Sequence, residues 1–178
     1  HVSGITAADR AYDGTTQVAL DANGAAFTES DWKDSGSPAL AASGLSGTIA
    51  DRHASSSPKA VAVAGLALNP ANPNYTLKLS DSVTVSITPY AWTADDLTWA
   101  DANSTYTYPR AFDGAASDIK ATLRKLNSGD NVSVSVSGGT ETAVGTHTAI
   151  ATELTGSDAG DYAAIPSPST FTHSYEIT

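Results

Sequence analysis

Six of the chain's thirteen aromatic residues, Tyr90, Trp92, Trp99, Tyr106, Tyr108 and Phe112, fall within 23 positions. Flat side chains at that density can stack on a sugar face or pack against the surface of a host protein. Trp92, Trp99, Tyr106 and Tyr108 are therefore the candidate ligand surface. The competing reading gives the same rings to a hydrophobic core and to a joint between two halves, because large rings supply most of the apolar burial in a small unit. The second reading carries more weight.

Other reactive constellations are sparse. The histidines, His1, His53, His147 and His173, show no metal-ligand spacing. No strand-turn-helix serine motif or phosphate-cradling glycine loop occurs. Asp95-Asp96 and Asp158 with Asp161 are paired acids, but scattered carboxylates of this kind are solvated turn residues more often than acid–base pairs. Asp101-Ala102-Asn103-Ser104-Thr105 begins like a calcium loop, yet Tyr106 stands where such a loop needs glycine. Asp21 with Asn23 and Gly24 is no stronger. Lys59, Lys78 and Lys120 lie in or beside predicted strands, which leaves a Lys–Asn isopeptide bond open. No catalytic residue, metal or cofactor is expected, and the chain is not read as an enzyme.

A different signal is stronger. Arg10-Ala11-Tyr12-Asp13-Gly14 returns one hundred residues later as Arg110-Ala111-Phe112-Asp113-Gly114. Asn74-Tyr75 is echoed by Asp161-Tyr162, and Ile87-Thr88 by Ile177-Thr178, at offsets of 87 and 90. Order is kept while the lengths between drift, as in two copies of one folding unit. The box itself reads as a structural turn: a ring that buries area, an Asp that accepts backbone N–H groups, and a Gly that permits positive φ. Tyr12, Asp13, Gly14, Phe112, Asp113 and Gly114 form this turn box. The exchange of Tyr for Phe implies that the ring matters more than its hydroxyl.

The 178 residues thus divide into units at 1–88 and 89–178, with Thr88-Pro89 as the boundary. Formal charge is −10, with nine Lys and Arg dispersed, which disfavours a phosphate backbone as partner. Cysteine and methionine are absent, so no disulfide framework exists. No apolar run approaches the roughly 20 residues of a membrane span. The chain reads as a segment of something longer, and as a monomer, with His1 a candidate cloning remnant.

The elements that must position these residues are strands. Gly47–Ala50 reads as a weak strand in a long polar stretch, and Ala60–Leu68 as a buried one. Tyr75–Leu79 and Ser82–Ile87 finish the first unit. In the second, Ile119–Leu126 is ambiguous between strand and helix and leans to strand. Val132, Val134 and Val136 alternate with Ser, and Gly145–Leu154 and Phe171–Ile177 complete the set. The fold expected is all-β: two tandem small domains, each an Ig-like sandwich, with a β-grasp-like unit as the alternative.

Tyr12-Asp13-Gly14-Thr15-Thr16, Val61–Leu68, Asn74-Tyr75-Thr76-Leu77 and Ile87-Thr88-Pro89 resemble the YDG-type repeat of large bacterial adhesins. In the second unit, Ser128-Gly129-Asp130-Asn131-Val132, Val144-Gly145-Thr146 and Asp158-Ala159-Gly160-Asp161-Tyr162 resemble the related MBG-type repeat. The first unit lacks the second's Gly-Asp and Val-Gly-Thr steps, and Phe112 departs from the tyrosine of the box. The resemblance implies a structural stalk, spacer or adhesin repeat, extracellular on a bacterial surface or cell wall. Its partners would be neighbouring repeats of the same chain, or a surface glycan or host protein bound by the aromatic patch, with no nucleic acid and no membrane insertion.

Overall fold

A computed structural model describes residues 1–36 and 38–178, with the side chains of Glu29 and Ala42 left aside. It is all-β, consistent with a β-sandwich; among the described residues there is no α-helix, only four short 3-10 turns. A β-grasp unit needs a helix across its sheet, so that alternative is set aside. The chain divides into two compact units, His1–Pro89 and Tyr90–Thr178.

Among its described residues the first unit has ten short strands: β1 Val2–Ser3, β2 Thr6–Ala7, β3 Arg10–Ala11, β4 Gln17–Val18, β5 Leu20–Asp21, β6 Ala26–Phe27, β7 Ser46–Ile49, β8 Lys59–Ala64, β9 Thr84–Val85 and β10 Ile87–Thr88. Strands β4, β7, β8 and β9 form one antiparallel sheet in that order, while β1 pairs with β6 and β2 with β5. The pair that stands apart is β3 with β10, which run parallel. Val2, Val18, Ile49, Val61, Val83, Val85 and Ile87 are buried between these pieces. Such short strands bury little each, so the core depends on many of them closing together.

Two sequence expectations change here. Strand β8 stops at Ala64 rather than Leu68, because Gly65 takes φ +78° and its backbone closes on Gly44. Leu68 joins only through a single bridge to Leu40. Tyr75–Leu79 is not a strand: apart from Leu79, which bridges Val2, it is loop. Two Asn-Pro steps just upstream remove donors and push the chain out of regular pairing.

The second unit has five longer strands: β11 Leu97–Asp101, β12 Ile119–Leu123, β13 Ser133–Ser137, β14 Gly145–Thr155 and β15 Thr172–Ile177. β11 pairs with β12, and β13, β14 and β15 form an antiparallel sheet. In β12 the alternation is complete: Ile119, Ala121 and Leu123 are buried, while Lys120 and Thr122 face out. A helix would have put Lys120 and Arg124 beside that apolar set on one side; the sheet separates them at period two. Ile119, Ala149 and Tyr175 make a core cluster against which Trp99, Tyr108 and Val136 pack.

Gly65 tests the packing of β7 and β8. A Cβ built there would lie 1.8 Å from the Gly44 carbonyl oxygen, at a φ that L-residues rarely adopt. Gly65→Ala is expected to destabilise the first unit by on the order of 2 kcal/mol, roughly 8–16 °C in Tm. Differential scanning calorimetry reads this, and an unchanged transition would contradict the close approach.

Candidate functional site

The repeated box has the same bonding in both units. The N–H groups of Arg10 and Tyr12 donate to the carbonyls of Ser86 (3.1 Å) and Thr88 (2.8 Å). Those of Arg110 and Phe112 donate to Glu176 (2.9 Å) and Thr178 (2.8 Å). Asp13 Oδ1 accepts the Thr15 N–H and hydroxyl, and Asp113 Oδ1 accepts the Ala115 N–H at 2.9 Å. The guanidinium of Arg10 pairs with Asp13 and donates to the Thr15 carbonyl at 2.8 Å. Arg110 likewise pairs with Asp113 (2.6 Å) and donates to the Ala115 carbonyl (2.9 Å). Gly14 and Gly114 take φ +76° and +79°, which completes the turn. Even the orphan is shared: among the described residues the buried Nε–H of each arginine lacks an acceptor.

The rings of the box behave differently. Tyr12 is 1% exposed, with the Arg52 guanidinium 5.9 Å from its ring centroid, whereas Phe112 is 56% exposed. The expectation that either ring pins the box into a core is thus corrected for Phe112. In the second unit a different ring meets the box: Tyr106 lies half-buried with its face 4.3 Å from Arg110 and its hydroxyl donating to Asp113 at 3.0 Å. Arg110 is only 5% exposed.

The candidate ligand surface is occupied by its own packing. Trp92 is buried, donates Nε1–H to the Ala163 carbonyl (2.6 Å) and tilts against Phe171. Trp99 stacks on His173, with ring centroids 5.6 Å apart at 12°. Tyr108 meets Tyr175 edge-on, and its hydroxyl donates to Asp101 at 2.6 Å. Burial, then that carboxylate, pushes the Tyr108 phenol up to about 12. Of the four rings drawn into that surface, Trp92 is buried, and Trp99, Tyr106 and Tyr108 are half-buried.

The acids serve mainly as turn caps. Asp101 accepts Asn103 N–H, Tyr108 hydroxyl and Asp118 N–H, and Asn103 in turn accepts Thr105. Asp21 accepts Asn23 N–H, Asp158 accepts Asn131 N–H and Ser157 hydroxyl, and Asp96 accepts Thr93 N–H and pairs with Lys125. Lys59 pairs with Asp51, and Lys120 with Asp118, both carboxylates rather than asparagines.

One concave site emerges in the first unit, and sequence reasoning passed over it. The 67–78 segment is laced to 28–36 and 38–41: Ala41 N–H donates to Ala67 O and Asn69 N–H to Ala39 O, both 2.8 Å, and Lys33 N–H donates to Tyr75 Oη at 3.0 Å. Asn72 Nδ2–H also donates to Asp34 at 2.9 Å. Between them opens a cavity of about 310 Å³ whose walls include Phe27, Trp32, Leu68, Asn74, Tyr75 and Lys78. Trp32 and Tyr75 stack, with centroids 4.4 Å apart at 24°. The Trp32 Nε1–H is buried without a partner among the described residues. His1 and Asp31 pair at the rim (2.7 Å). A tryptophan alone in a stretch otherwise poor in large apolar side chains was the available signal.

The family model described as a YDG domain matches residues 1–85, the unit that holds this cavity. No curated protein and no solved structure matches the chain. The match covers under half of the chain and carries the family description alone, with no adhesin role. The reading of the whole chain as YDG/MBG-type adhesin repeats is corrected accordingly: nothing supports an MBG-type repeat over 89–178. The stalk or spacer function, the bacterial-surface location and the exclusion of nucleic acid go with it. That exclusion rested on whole-chain charge. The first unit carries eight acidic and five basic residues, so most of the excess of 19 over nine lies in the second.

The carboxyl groups of the box set an acid limit. The Ala115 N–H first, then Tyr106 and Arg110, hold Asp113 below 3.8 against a smaller opposing effect of burial. Burial raises Asp13, but Thr15 and Arg10 together leave it lowered as well. Groups with depressed folded values stabilise above the unfolded pKa and lose that contribution as pH falls through the folded one. Tm is therefore expected to drop as pH falls below about 4. In Asp113→Asn the second unit's Tm should be lower by a few degrees at pH 7 and its acid drop shallower. Parallel acid profiles for wild type and variant would contradict this.

Proposed function

We propose that the protein is a non-catalytic recognition module that takes a flat, hydrogen-bonding ring of the nucleobase class in the Trp32–Tyr75 cleft. The observation that carries this is the stacked aromatic pair in the wall of the about 310 Å³ cavity. That volume is within the range of small-ligand sites, and apolar walls with a few polar groups are their usual lining. Aromatic stacking on a base contributes about 1–3 kcal/mol by alanine substitution.

Charge limits the ligand's form. The cleft mixes Lys78 with Asp31, and the unit as a whole is slightly acidic. No track of cations follows a phosphate backbone there, so recognition is of a base displayed out of its stack, not of a duplex. Affinity should accordingly vary little with salt.

Isothermal calorimetry with free nucleosides, with pyranose sugars as a parallel panel, tests the reading. Nucleosides should bind saturably, and Trp32→Ala should weaken them roughly 5- to 100-fold while the unit stays folded. Binding of sugars alone, or nucleoside binding indifferent to Trp32→Ala, would contradict it.

A further inference from the structure

A second cavity, of about 260 Å³, adjoins the first and shares three of its walls: Trp32, Pro38 and Leu68. The indole of Trp32 therefore borders both. Asp34, Asn69 and Asn72 line only the second, whereas Tyr75, Asn74 and Lys78 line only the first. The two compartments differ in polarity: the first has an ammonium at its wall, the second a carboxylate and amides.

We infer that the site is bipartite, and that its ligand is a segment of two ring-bearing residues held on either side of Trp32. This rests on the reading of the cleft as a base site and goes beyond it. One ring enters beside Tyr75 and Lys78. The next lies in the Asp34 compartment, where the carboxylate and the Asn69 and Asn72 amides offer hydrogen bonds to an exocyclic amino group or a ribose hydroxyl. A carboxylate there disfavours a phosphate deep in the second compartment, so the linkage between the two residues would run at the open edge, over Trp32. Two linked rings gain over one because the second binds as an intramolecular event.

A chain-length series on the unaltered protein decides this. Adenosine, the dinucleoside monophosphate built from it, and the trinucleotide are titrated by calorimetry. Affinity is expected to rise at least about ten-fold from one ring to two and then level off. Ala71 lines the second compartment and not the first, so Ala71→Trp should return the dinucleoside to the affinity of adenosine and leave adenosine unchanged. Equal affinity for one ring and two would overturn the bipartite site while leaving the single-ring reading intact. A continued rise at three rings would also overturn it, as would an Ala71→Trp protein that binds both dinucleoside and adenosine as the wild type does. No binding by any member would remove the base site itself.

Discussion

Each unit is held closed by a short parallel pairing between its box segment and its last strand. In the first, β3 meets β10 across almost the whole length of the unit; in the second, Arg110 and Phe112 hold the end of β15. Contacts of such separation carry a large loop-closure cost and must be reinforced locally. The box does this in five residues. Arginine ties the turn to the carbonyl beyond it, aspartate caps the turn N–H, and glycine supplies the left-handed step.

The same closure supports different interiors. The first unit is a set of two-residue ladders around one four-stranded sheet, and it leaves two long loops to pair with each other. That looseness is what makes room for the Trp32–Tyr75 cleft. The second unit uses its aromatics as core, with Trp99 on His173 and Tyr108 on Tyr175, and its strands are longer. Sites favour loops held by a rigid scaffold, and the first unit's two laced loops bring a tryptophan and a tyrosine together in the wall of a cavity.

How far this was legible depended on the scale of the signal. The duplicated box, the alternating strand at Ser133–Ser137 and the buried face of Ile119–Leu123 follow from short periodic patterns that the fold retains. Leu97–Asp101 was not singled out as a strand, because its pairing with β12 across the unit, not its own pattern, makes it one. Tyr75–Leu79 looked like a strand but has no neighbour to pair with beyond Leu79. Phe112 shares a box with Tyr12, yet whether a ring is covered depends on partners far away in sequence: Arg52 lies over the buried Tyr12, while Phe112 stands exposed. The cleft was invisible for the same reason. Trp32 and Tyr75 are 43 positions apart, and only the lacing of two irregular loops brings them face to face.

Native-state hydrogen exchange at the Arg10, Tyr12, Arg110 and Phe112 amides tests the closure most directly. These amides should exchange only when the whole unit opens, as slowly as core amides such as Val61 and Ala151, which are bonded to Val83 and Phe171. Exchange at the rate of an unprotected peptide, with the core amides still protected, would show that the units hold together without their boxes.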